Sequence, residues 1–531
     1  MKIKFSLTIL LIFSTIFLIS FTLINSKSNL YILGDSKTEN TFISASTSPK
    51  TLWKNNGIEV CIENYTQQNA QICYDGTGGA IIVWEDQNRS GNDDFDIYTQ
   101  RLDSNGRLIW ATGGLVICNA NESQTFPQIC CDGTGGAWIT WKDQRTGTYD
   151  IYGQYINSTG QVLWQNGTII CNASDNQSDP QICYDGMGGA IITWTDYRDG
   201  NYDIYAQKVN SSGVQWLTNG KVICNENYTQ DSPRVCSNGS WGAVITWKDR
   251  RNNNSYDIYA QRLNSSGGIE WTPNGTAICT VNYSQEMPEI CSDGSGGAII
   301  TWQDYRSNVS NDIYTQMINS SGDIQWENNG TVISNVNKSQ NLPEICSDGS
   351  GGAIITWQDY RNDNWDIYAQ KVNSSEKSQW GNNGSYICNA SGNQSVPQIC
   401  CDGAGGAWIT WKDQRTGTYD IYCQHANSTG QVLWQNGKII CNASDTQSDP
   451  QICCDGSGGA IITWCDNRNS ISTSYDIYAQ RIGEFQPKTE NGGLWLLLLM
   501  KPSDSLLIFG LIIGTAIGIG LLILYLQEKY L

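Results

Sequence analysis

Between Thr51 and Ile482 the chain repeats one unit of about 54 residues, and this repeat constrains the fold more than any other feature. Each unit carries the motif Asp-Gly-x-Gly-Gly-Ala, followed by Trp-x-Asp, an Arg and then Asp-Ile-Tyr-x-Gln. The motif begins at Asp75, Asp132, Asp185, Asp293, Asp348, Asp402 and Asp455, and Asn238 begins the variant Asn-Gly-Ser-Trp-Gly-Ala. A unit repeated at a nearly fixed period folds as one supersecondary element that buries its apolar faces against neighbouring copies.

Four strands can be assigned within one unit, here the second. The segments are Pro127–Cys131, Gly136–Lys142, Tyr149–Ile156 and Gln161–Cys171, and Gly-, Asn- and Ser-rich turns separate them. Four antiparallel strands in such a unit form the blade of a β-propeller. An α-helical solenoid is excluded, because no segment before the apolar C-terminal stretch has a helical period.

The two ends of the repeat region indicate how the ring closes. Thr51–Cys61 matches only the fourth strand of the unit, and the chain leaves the repeat after a third strand, at Ala479–Ile482. The N-terminal strand can therefore complete the last blade, which leaves no free sheet edges. The sequence predicts an all-β, eight-bladed propeller of four-stranded antiparallel blades over residues 51–482.

The repeated motifs Trp-x-Asp-x-Arg, Asp-Ile-Tyr and Ser-x-Gly-x-x-x-Trp resemble those of sialidase-type (Asp-box, or BNR-type) propellers and related cell-surface repeat proteins. The Asp-box of that family reads Ser-x-Asp-x-Gly-x-Thr-Trp, between the third and fourth strands. Here the turn runs from Ser158 through Gly160 to Trp164, without the Asp and with one more residue before the Trp. The resemblance implies a propeller, and it makes a sialidase-like glycoside hydrolase the alternative to a binding function.

Both ends of the chain are apolar and predict a membrane-anchored protein. Residues 1–26 have the form of a secretory signal peptide or signal anchor, and residues 505–526 are long enough to cross a bilayer as a helix. We expect linkers at 27–50 and 483–504 and a cytoplasmic tail at 527–531. The predicted location is the cell membrane, with a single pass and an extracellular propeller. The net charge of −19 argues against nucleic acid as a partner.

Asparagines and cysteines recur together at the connection between one unit and the next. The recurrent N-glycosylation sequons begin at Asn64, Asn121, Asn172, Asn227, Asn282, Asn337, Asn389 and Asn442. Two evenly spaced cysteines bracket most of these sequons, and we call them the sequon-flanking pairs: Cys61/Cys73, Cys118/Cys130, Cys171/Cys183, Cys224/Cys236, Cys279/Cys291, Cys388/Cys400 and Cys441/Cys453. We expect glycans at the sequons and a disulfide within each sequon-flanking pair, the alternative being small buried residues. Cys131, Cys401, Cys423, Cys454 and Cys465 have no deducible partner.

Residues present in every unit are expected to be scaffold. The recurring tryptophans predict packing between blades, and the Asp and Arg of each Trp-x-Asp-x-Arg hairpin predict a charge-assisted bond that fixes the turn. Calcium held by these Asp-rich hairpins is the alternative, and no other cofactor is indicated.

Residues that break the repeat are the better candidates for recognition. Tyr197, Tyr305, Tyr360 and Trp365 lie in hairpins rich in Asn, Asp and Arg, a setting that suits glycan binding, although half-buried packing would also explain them. No catalytic motif is evident, and Glu289 and Glu344 are predicted to be solvated carboxylates. The predicted function is non-catalytic recognition or adhesion through extracellular glycan or protein ligands. The alternatives are a sialidase-like hydrolase and a purely structural surface-layer component.

Overall fold

The protein is described by a computed structural model that covers residues 49–87, 94–469 and 474–483. These residues form eight antiparallel sheets, which we number as blades in chain order. Blade 1 comprises β3 (Gln67–Tyr74), β4 (Ala80–Gln87), β5 (Phe95–Leu102) and β6 (Leu115–Cys118), and blade 2 comprises β7 (Gln124–Cys131), β8 (Ala137–Asp143), β9 (Asp150–Ile156) and β10 (Thr168–Cys171). Blade 3 comprises β11 (Gln177–Tyr184), β12 (Ala190–Asp196), β13 (Asp203–Asn210), β14 (Gly213–Val214) and β15 (Lys221–Cys224). Blade 4 comprises β16 (Gln230–Ser237), β17 (Ala243–Asp249), β18 (Asp257–Leu263) and β19 (Thr276–Cys279).

Blades 5 to 7 repeat the same arrangement. Blade 5 comprises β20 (Gln285–Ser292), β21 (Ala298–Asp304), β22 (Asp312–Ile318) and β23 (Thr331–Ser334). Blade 6 comprises β24 (Gln340–Ser347), β25 (Ala353–Asp359), β26 (Asp366–Val372) and β27 (Ser385–Cys388). Blade 7 comprises β28 (Gln394–Cys401), β29 (Ala407–Asp413), β30 (Asp420–Ala426) and β31 (Lys438–Cys441). Blade 8 comprises β32 (Gln447–Cys454), β33 (Ala460–Asp466) and β34 (Asp476–Gly483), together with β1 (Lys50–Thr51) and β2 (Ile58–Cys61) from the start of the chain.

The first strands of neighbouring blades contact one another around the complete ring, including the contact of β3 with β32. They therefore surround the central axis, and the short fourth strands lie at the periphery. The ring closes as predicted, because β2 pairs with β34 in the register Ile58↔Ala479 and Glu59↔Tyr478. The eight-bladed all-β propeller of four-stranded blades is confirmed.

The strand limits differ from the prediction at both edges of the blade. In blade 2 the first strand begins at Gln124 and continues past Pro127 through a bulge between Thr125 and Gln128. The bulge accommodates a proline that has no N–H to donate. The fourth strand is only Thr168–Cys171, and Trp164 lies in the turn before it.

The hydrophobic core is divided into clusters, most of which lie between consecutive blades. The second-strand tryptophans, such as Trp141 and Trp357, are fully buried. The tryptophans that precede the fourth strands pack against the next blade. Trp271, for example, donates from Nε1 to the carbonyl oxygen of Ser320 at 3.1 Å and lies against Gly322. Packing between blades accounts for the recurring tryptophans.

No helix long and apolar enough to cross a membrane occurs among the residues that the structure describes. The segments for which we predicted a signal sequence (1–26) and a membrane span (505–526) lie outside those residues. Both stay predictions.

Candidate functional site

Two kinds of turn meet on one rim of the propeller, which we call the hairpin rim. The connections between second and third strands lie there, as do the connections from each fourth strand to the next first strand. The register places them together: Asp143, at the end of its second strand, pairs with Gln124 at the start of the first strand. The Asp-Gly turns form the opposite rim.

The Trp-x-Asp-x-Arg motif holds each hairpin to its own blade. In blade 6 the buried Asp359 accepts hydrogen bonds from Trp357 Nε1 at 2.9 Å and from Arg361 Nη2 at 2.6 Å. The guanidinium also lies 3.8 Å from the Tyr368 ring centroid and donates to the carbonyl of Asn383 at 3.0 Å. The same ion pair occurs in blades 2 to 8, and the Arg89 of blade 1 lies outside the described residues. These aspartates are therefore scaffold.

The described part of the hairpins shows no carboxylate cluster suited to calcium. Within the described residues no group of three or more His, Cys, Asp or Glu side chains is arranged to hold a metal ion. The hairpin carboxylates are already engaged. In blade 5 Asp304 and Asp312 face each other across the ladder, but Arg306 Nη2 lies 2.7 Å from Asp304 Oδ2. A guanidinium occupies the position that a cation would need.

The predicted disulfides within the sequon-flanking pairs are wrong. All 20 cysteines lie within the described residues, and none is in a disulfide there. Cys118 lies at the hairpin rim, with Arg145 Nη2 2.9 Å from its sulfur. Cys130 instead pairs with Trp138, five positions before Asp143 on the same second strand. That offset corresponds to roughly 17 Å along a strand, far beyond the reach of a disulfide.

The same separation applies to every predicted pair. The first cysteine ends a fourth strand at the rim, whereas the second lies most of the way along the following first strand. The unbridged pairs are Cys61/Cys73, Cys118/Cys130, Cys171/Cys183, Cys224/Cys236, Cys279/Cys291, Cys388/Cys400 and Cys441/Cys453.

The sequon asparagines are all exposed and lie in the connections of the hairpin rim. They are Asn64, Asn121, Asn172, Asn227, Asn282, Asn337, Asn389 and Asn442. A glycosylating enzyme could reach each of them in the folded protein. Glycosylation itself stays a prediction.

The four predicted recognition aromatics lie on the hairpin rim, but they do not form one site. Tyr360 and Trp365 pack together in blade 6, with ring centroids 5.0 Å apart. Tyr305 in blade 5 makes an edge contact with Tyr283 at 6.4 Å. Tyr197 packs against Tyr202 at 4.8 Å in blade 3, on the far side of blade 4. Tyr197 is exposed, and the other three predicted residues are half-buried.

A polar cluster around the axis was not anticipated from the sequence. One first-strand position holds a glutamine in five blades and a charged residue in blades 4, 5 and 6. Its occupants are Gln71, Gln128, Gln181, Arg234, Glu289, Glu344, Gln398 and Gln451. Arg234 Nε lies 2.7 Å from Glu289 Oε1, and Gln398 Nε2 donates to Glu344 Oε1 at 3.0 Å. We call Arg234, Glu289, Glu344 and Gln398 the channel arc.

The channel arc corrects the prediction that Glu289 and Glu344 are solvated carboxylates. Both are half-buried and bond to the first strands of adjacent blades. Burial raises the pKa of Glu344 well above its ordinary value, and the nearby charge of Glu289 raises it further, against the opposing effects of Arg234 and the bond from Gln398. Glu344 therefore keeps its proton at a pH at which surface carboxylates are ionised.

Near the hairpin rim, the first strands contain residues with strained backbone dihedral angles. One residue of every first-strand bulge has a left-handed φ between 50° and 55°: Asn69, Phe126, Asp179, Ser232, Met287, Leu342, Val396 and Asp449. Such a conformation costs of order 1–3 kcal/mol outside glycine. In three blades the backbone N–H of this strained residue donates a hydrogen bond to a side chain of the preceding blade. Phe126 N donates to Glu85 Oε1 at 2.6 Å, and Leu342 N and Val396 N donate to Gln303 and Gln358.

Only alignment of the eight copies on the first-strand register could have found the channel arc. Each member is unremarkable alone, and the signal is a change of charge at one repeat position. Blades 5 and 6 carry both its two glutamates and the aromatic pairs Tyr283/Tyr305 and Tyr360/Trp365, on the same side of the ring. Charged and aromatic residues that break the repeat therefore occur together in blades 5 and 6.

Comparisons with known proteins bear on the fold alone. No protein-family model and no curated protein matches the chain, so no sialidase-type family model supports the resemblance of the motifs. Similar solved structures include the BP39L lectin from Burkholderia pseudomallei, at 8% identity and a TM-score of 0.48, covering 72% of this chain and 99% of the lectin. A polysaccharide lyase, an ulvan lyase, is 9% identical with a TM-score of 0.43, covering 82% and 96% of the two chains. A protein of unknown function from Dyadobacter fermentans is 8% identical with a TM-score of 0.39, covering 83% and 100%.

Proposed function

We propose that this propeller is a non-catalytic recognition module that binds a glycan at the hairpin rim of blades 5 and 6. The observation that carries the proposal is that blades 5 and 6 have both an aromatic pair at the rim and a glutamate on the first strand near the axis. Aromatic faces pack against the C–H faces of sugars, and carboxylate and amide groups bond to hydroxyls. Binding sites commonly combine an aromatic lining with a few polar groups in this way.

The rim hairpins of these blades supply further hydrogen-bonding groups. In blade 6, Asn362 and Asp363 are exposed between Tyr360 and Trp365, and Lys338 Nζ lies 5.8 Å from the Tyr360 ring centroid. The aromatic pair is held from below, because Trp365 N donates to Asn393 Oδ1 at 3.2 Å and its carbonyl accepts from Gln394 N at 2.7 Å. A ligand would meet a fixed aromatic edge with exposed polar groups around it.

The test is retention of the purified full-length protein, in detergent, on a panel of glycans, with released sugars measured in the same wells. We expect retention without cleavage, and Trp365→Ala should reduce affinity about ten-fold, the loss of ~1.4 kcal/mol expected for one aromatic contact. Tyr419→Ala is the matched control, because Tyr419 occupies the same position in blade 7. Equal losses in both variants, or no retention on any glycan, would contradict the proposal. A parallel series with EDTA tests for calcium.

A glycoside hydrolase is the second candidate, and the glutamate pair of the channel arc favours it. Glycosidases use one protonated and one ionised carboxyl group. Burial raises the pKa of both glutamates, and Arg234, in contact with Glu289, opposes the shift more directly there, which separates the two groups. Released sugar that disappears in Glu344→Gln would establish this activity and replace the first proposal. Gln71→Glu would add a carboxyl group at the same repeat position in blade 1, outside the channel arc, and serve as a control for charge alone.

We propose in addition that the propeller is displayed outside the cell, anchored by the C-terminal apolar segment. The exposed sequon asparagines support this placement, because their side chains would be open to modification along the whole hairpin rim. Protease treatment of intact cells should remove the propeller and leave residues 505–531 with the membrane. Resistance of the propeller on intact cells, with digestion after permeabilisation, would place it inside.

A further inference from the structure

Three of the cysteines for which the sequence suggests no partner, Cys131, Cys401 and Cys454, occupy the same position in their repeats. The first strand of every blade carries a cysteine, and we call these the ring cysteines: Cys73, Cys130, Cys183, Cys236, Cys291, Cys346, Cys400 and Cys453. The residues that follow them are Tyr74, Cys131, Tyr184, Ser237, Ser292, Ser347, Cys401 and Cys454. Only blades 2, 7 and 8 therefore have two adjacent cysteines at this point of the first strand.

The ring cysteines face the next blade. Successive side chains of a strand point to opposite faces of the sheet. Cys73 packs in one cluster with Ala137 and Ile139 of blade 2. In the same way Cys346 packs with residues of blade 7, and Cys400 packs with residues of blade 8.

The adjacent cysteines face the preceding blade. Cys131 belongs to the cluster that contains Cys73, so the two thiols enter the interface of blades 1 and 2 from opposite sides. Cys401 pairs with Ala407, and Cys454 pairs with Ala460, in the register in which Cys131 pairs with Ala137. They therefore face blades 6 and 7. Three interfaces present two thiols to each other, namely Cys73/Cys131, Cys346/Cys401 and Cys400/Cys454.

The Asp-Gly turns beside these thiols lie close to the turns of the neighbouring blade. A Cβ placed on Gly76 would lie 2.9 Å from the carbonyl oxygen of Gly133, which joins the Asp-Gly turns of blades 1 and 2. Between blades 6 and 7 and between blades 7 and 8 the later glycine of the turn makes the approach: the Cβ position of Gly405 lies 3.8 Å from Asp348 O, and that of Gly458 lies 3.9 Å from Asp402 O. The Asp-Gly turns of neighbouring blades thus approach each other at the end of the first strands where the three thiol pairs lie, as they also do between blades 4 and 5 and between blades 5 and 6.

We propose that these three pairs are sites of interblade disulfides, which cross-link blade 1 to 2, blade 6 to 7 and blade 7 to 8. Each pair reacts by thiol–disulfide exchange with a small-molecule disulfide such as oxidised glutathione. One S–S bond forms in the protein and one breaks in the glutathione disulfide, and the two electrons and two protons of the thiols leave as two glutathione thiols. Burial raises the pKa of Cys73 and Cys346, so exchange is slow in the folded ring.

The cross-links would reinforce the closure of the ring. Blade 8 is the blade assembled from both ends of the chain, so the ring depends on the interfaces beside it. The link between blades 7 and 8 ties the C-terminal strands of the closing sheet to the rest of the ring. The link between blades 1 and 2 fixes blade 1, the other neighbour of the closing blade, to the blade that follows it.

The experiment is disulfide mapping of the full-length protein after refolding in a series of glutathione redox buffers. Thiols are alkylated in denaturant, and peptides are analysed by mass spectrometry without reduction. We expect the peptide pairs of Cys73/Cys131, Cys346/Cys401 and Cys400/Cys454. Cys183 and Cys236, which face Ser237 and Ser292, should remain alkylated. Alkylation of every cysteine in fully oxidising buffer, or links within the sequon-flanking pairs, would overturn the proposal.

Two variants separate the proposal from a folding defect. Cys131→Ser places in blade 2 the residue that blades 4, 5 and 6 already have, so it should fold and lose only the first link. Ser237→Cys creates the same facing pair with Cys183 and should gain a fourth link under the same buffers. A Ser237→Cys protein that folds but forms no link to Cys183 would show that the facing geometry is insufficient for exchange, which also overturns the proposal.

Discussion

Arg468 Nη2 donates a hydrogen bond to the carbonyl oxygen of Asn56 at 2.8 Å, although 412 residues separate the two. In blade 6 the same bond joins Arg361 to Asn383, 22 residues further along the chain. Asn56 Oδ1 also accepts from Asn442 N at 3.2 Å. Each of the other hairpin arginines that the structure describes makes this contact within its own blade. In the closing blade the same contact joins residues from the two ends of the chain.

Removal of the closing arginine should release the N-terminal strand. Arg468→Ala leaves the buried carboxylate of Asp466 without its ion pair, a loss of about 3–5 kcal/mol. Limited proteolysis should then cut between residues 49 and 66 before it cuts elsewhere. Arg361→Ala is the matched control, because it breaks the same ion pair inside one blade. Early N-terminal cleavage in both variants would contradict a specific role in closure.

Asp359→Ala should lower the melting temperature of the propeller. Asp359 is fully buried and accepts from Trp357 and Arg361, so its loss leaves a buried guanidinium unpaired, at about 3–5 kcal/mol. Asp363→Ala is the control, since Asp363 is exposed and pairs only with Lys338, where less than 0.5 kcal/mol is expected, roughly the value for a surface pair. Thermal melts measure both. An unchanged Tm in Asp359→Ala would refute the scaffold role.

The stability of the propeller should decrease as pH rises from about 4 to about 7. Burial raises the pKa of Asp203 to about 7, with a further contribution from Asp199 and an opposing bond from Asn201. Between about pH 4 and about pH 7, Asp203 therefore keeps its proton in the folded protein and loses it in the unfolded chain. The free energy of unfolding is highest below this pH range and decreases as the pH rises through it.

Asp203→Asn tests this coupling. The variant should be more stable than the natural protein by ~1–2 kcal/mol at pH 5 and by more at pH 8, at most ~4 kcal/mol. Chemical denaturation at the two pH values measures it. Asp199→Asn should produce a smaller effect in the same direction, because it removes only the neighbouring charge. Parallel pH profiles of Asp203→Asn and the natural protein would show that Asp203 does not titrate in this range.

The sequence predicts the architecture well and the site poorly, for physical reasons. Turn residues and apolar runs recur in every copy, so blade number, strand order and closure through Thr51–Cys61 follow from pattern alone. The cysteine pairing failed because the short, regular spacing of Cys118 and Cys130 does not reveal that the chain turns at the rim between them and then runs away from it. The contact of Arg234 with Glu289 depends on the stacking of first strands, which links residues 55 positions apart.

Glycine substitutions should reveal how tightly the second-strand tryptophans are enclosed. Gly384 has a φ of 80°, and a Cβ there would lie 2.4 Å from Trp357 Cη2. Gly403 has a φ of 75°, with nothing within 4 Å of its Cβ position. Both alanine variants carry the backbone strain of a left-handed residue, but only Gly384→Ala must displace a buried indole.

The difference between the two variants isolates the steric contribution. We expect Gly384→Ala to be less stable than Gly403→Ala by about 1–3 kcal/mol, the usual cost of overpacking a filled core. Urea denaturation followed by tryptophan fluorescence measures the difference, and the emission of Gly384→Ala should also shift as Trp357 moves. Equal stability of the two variants would mean that the Trp357 side chain can withdraw freely, and the close packing between blades 5 and 6 would then contribute little to holding the ring together.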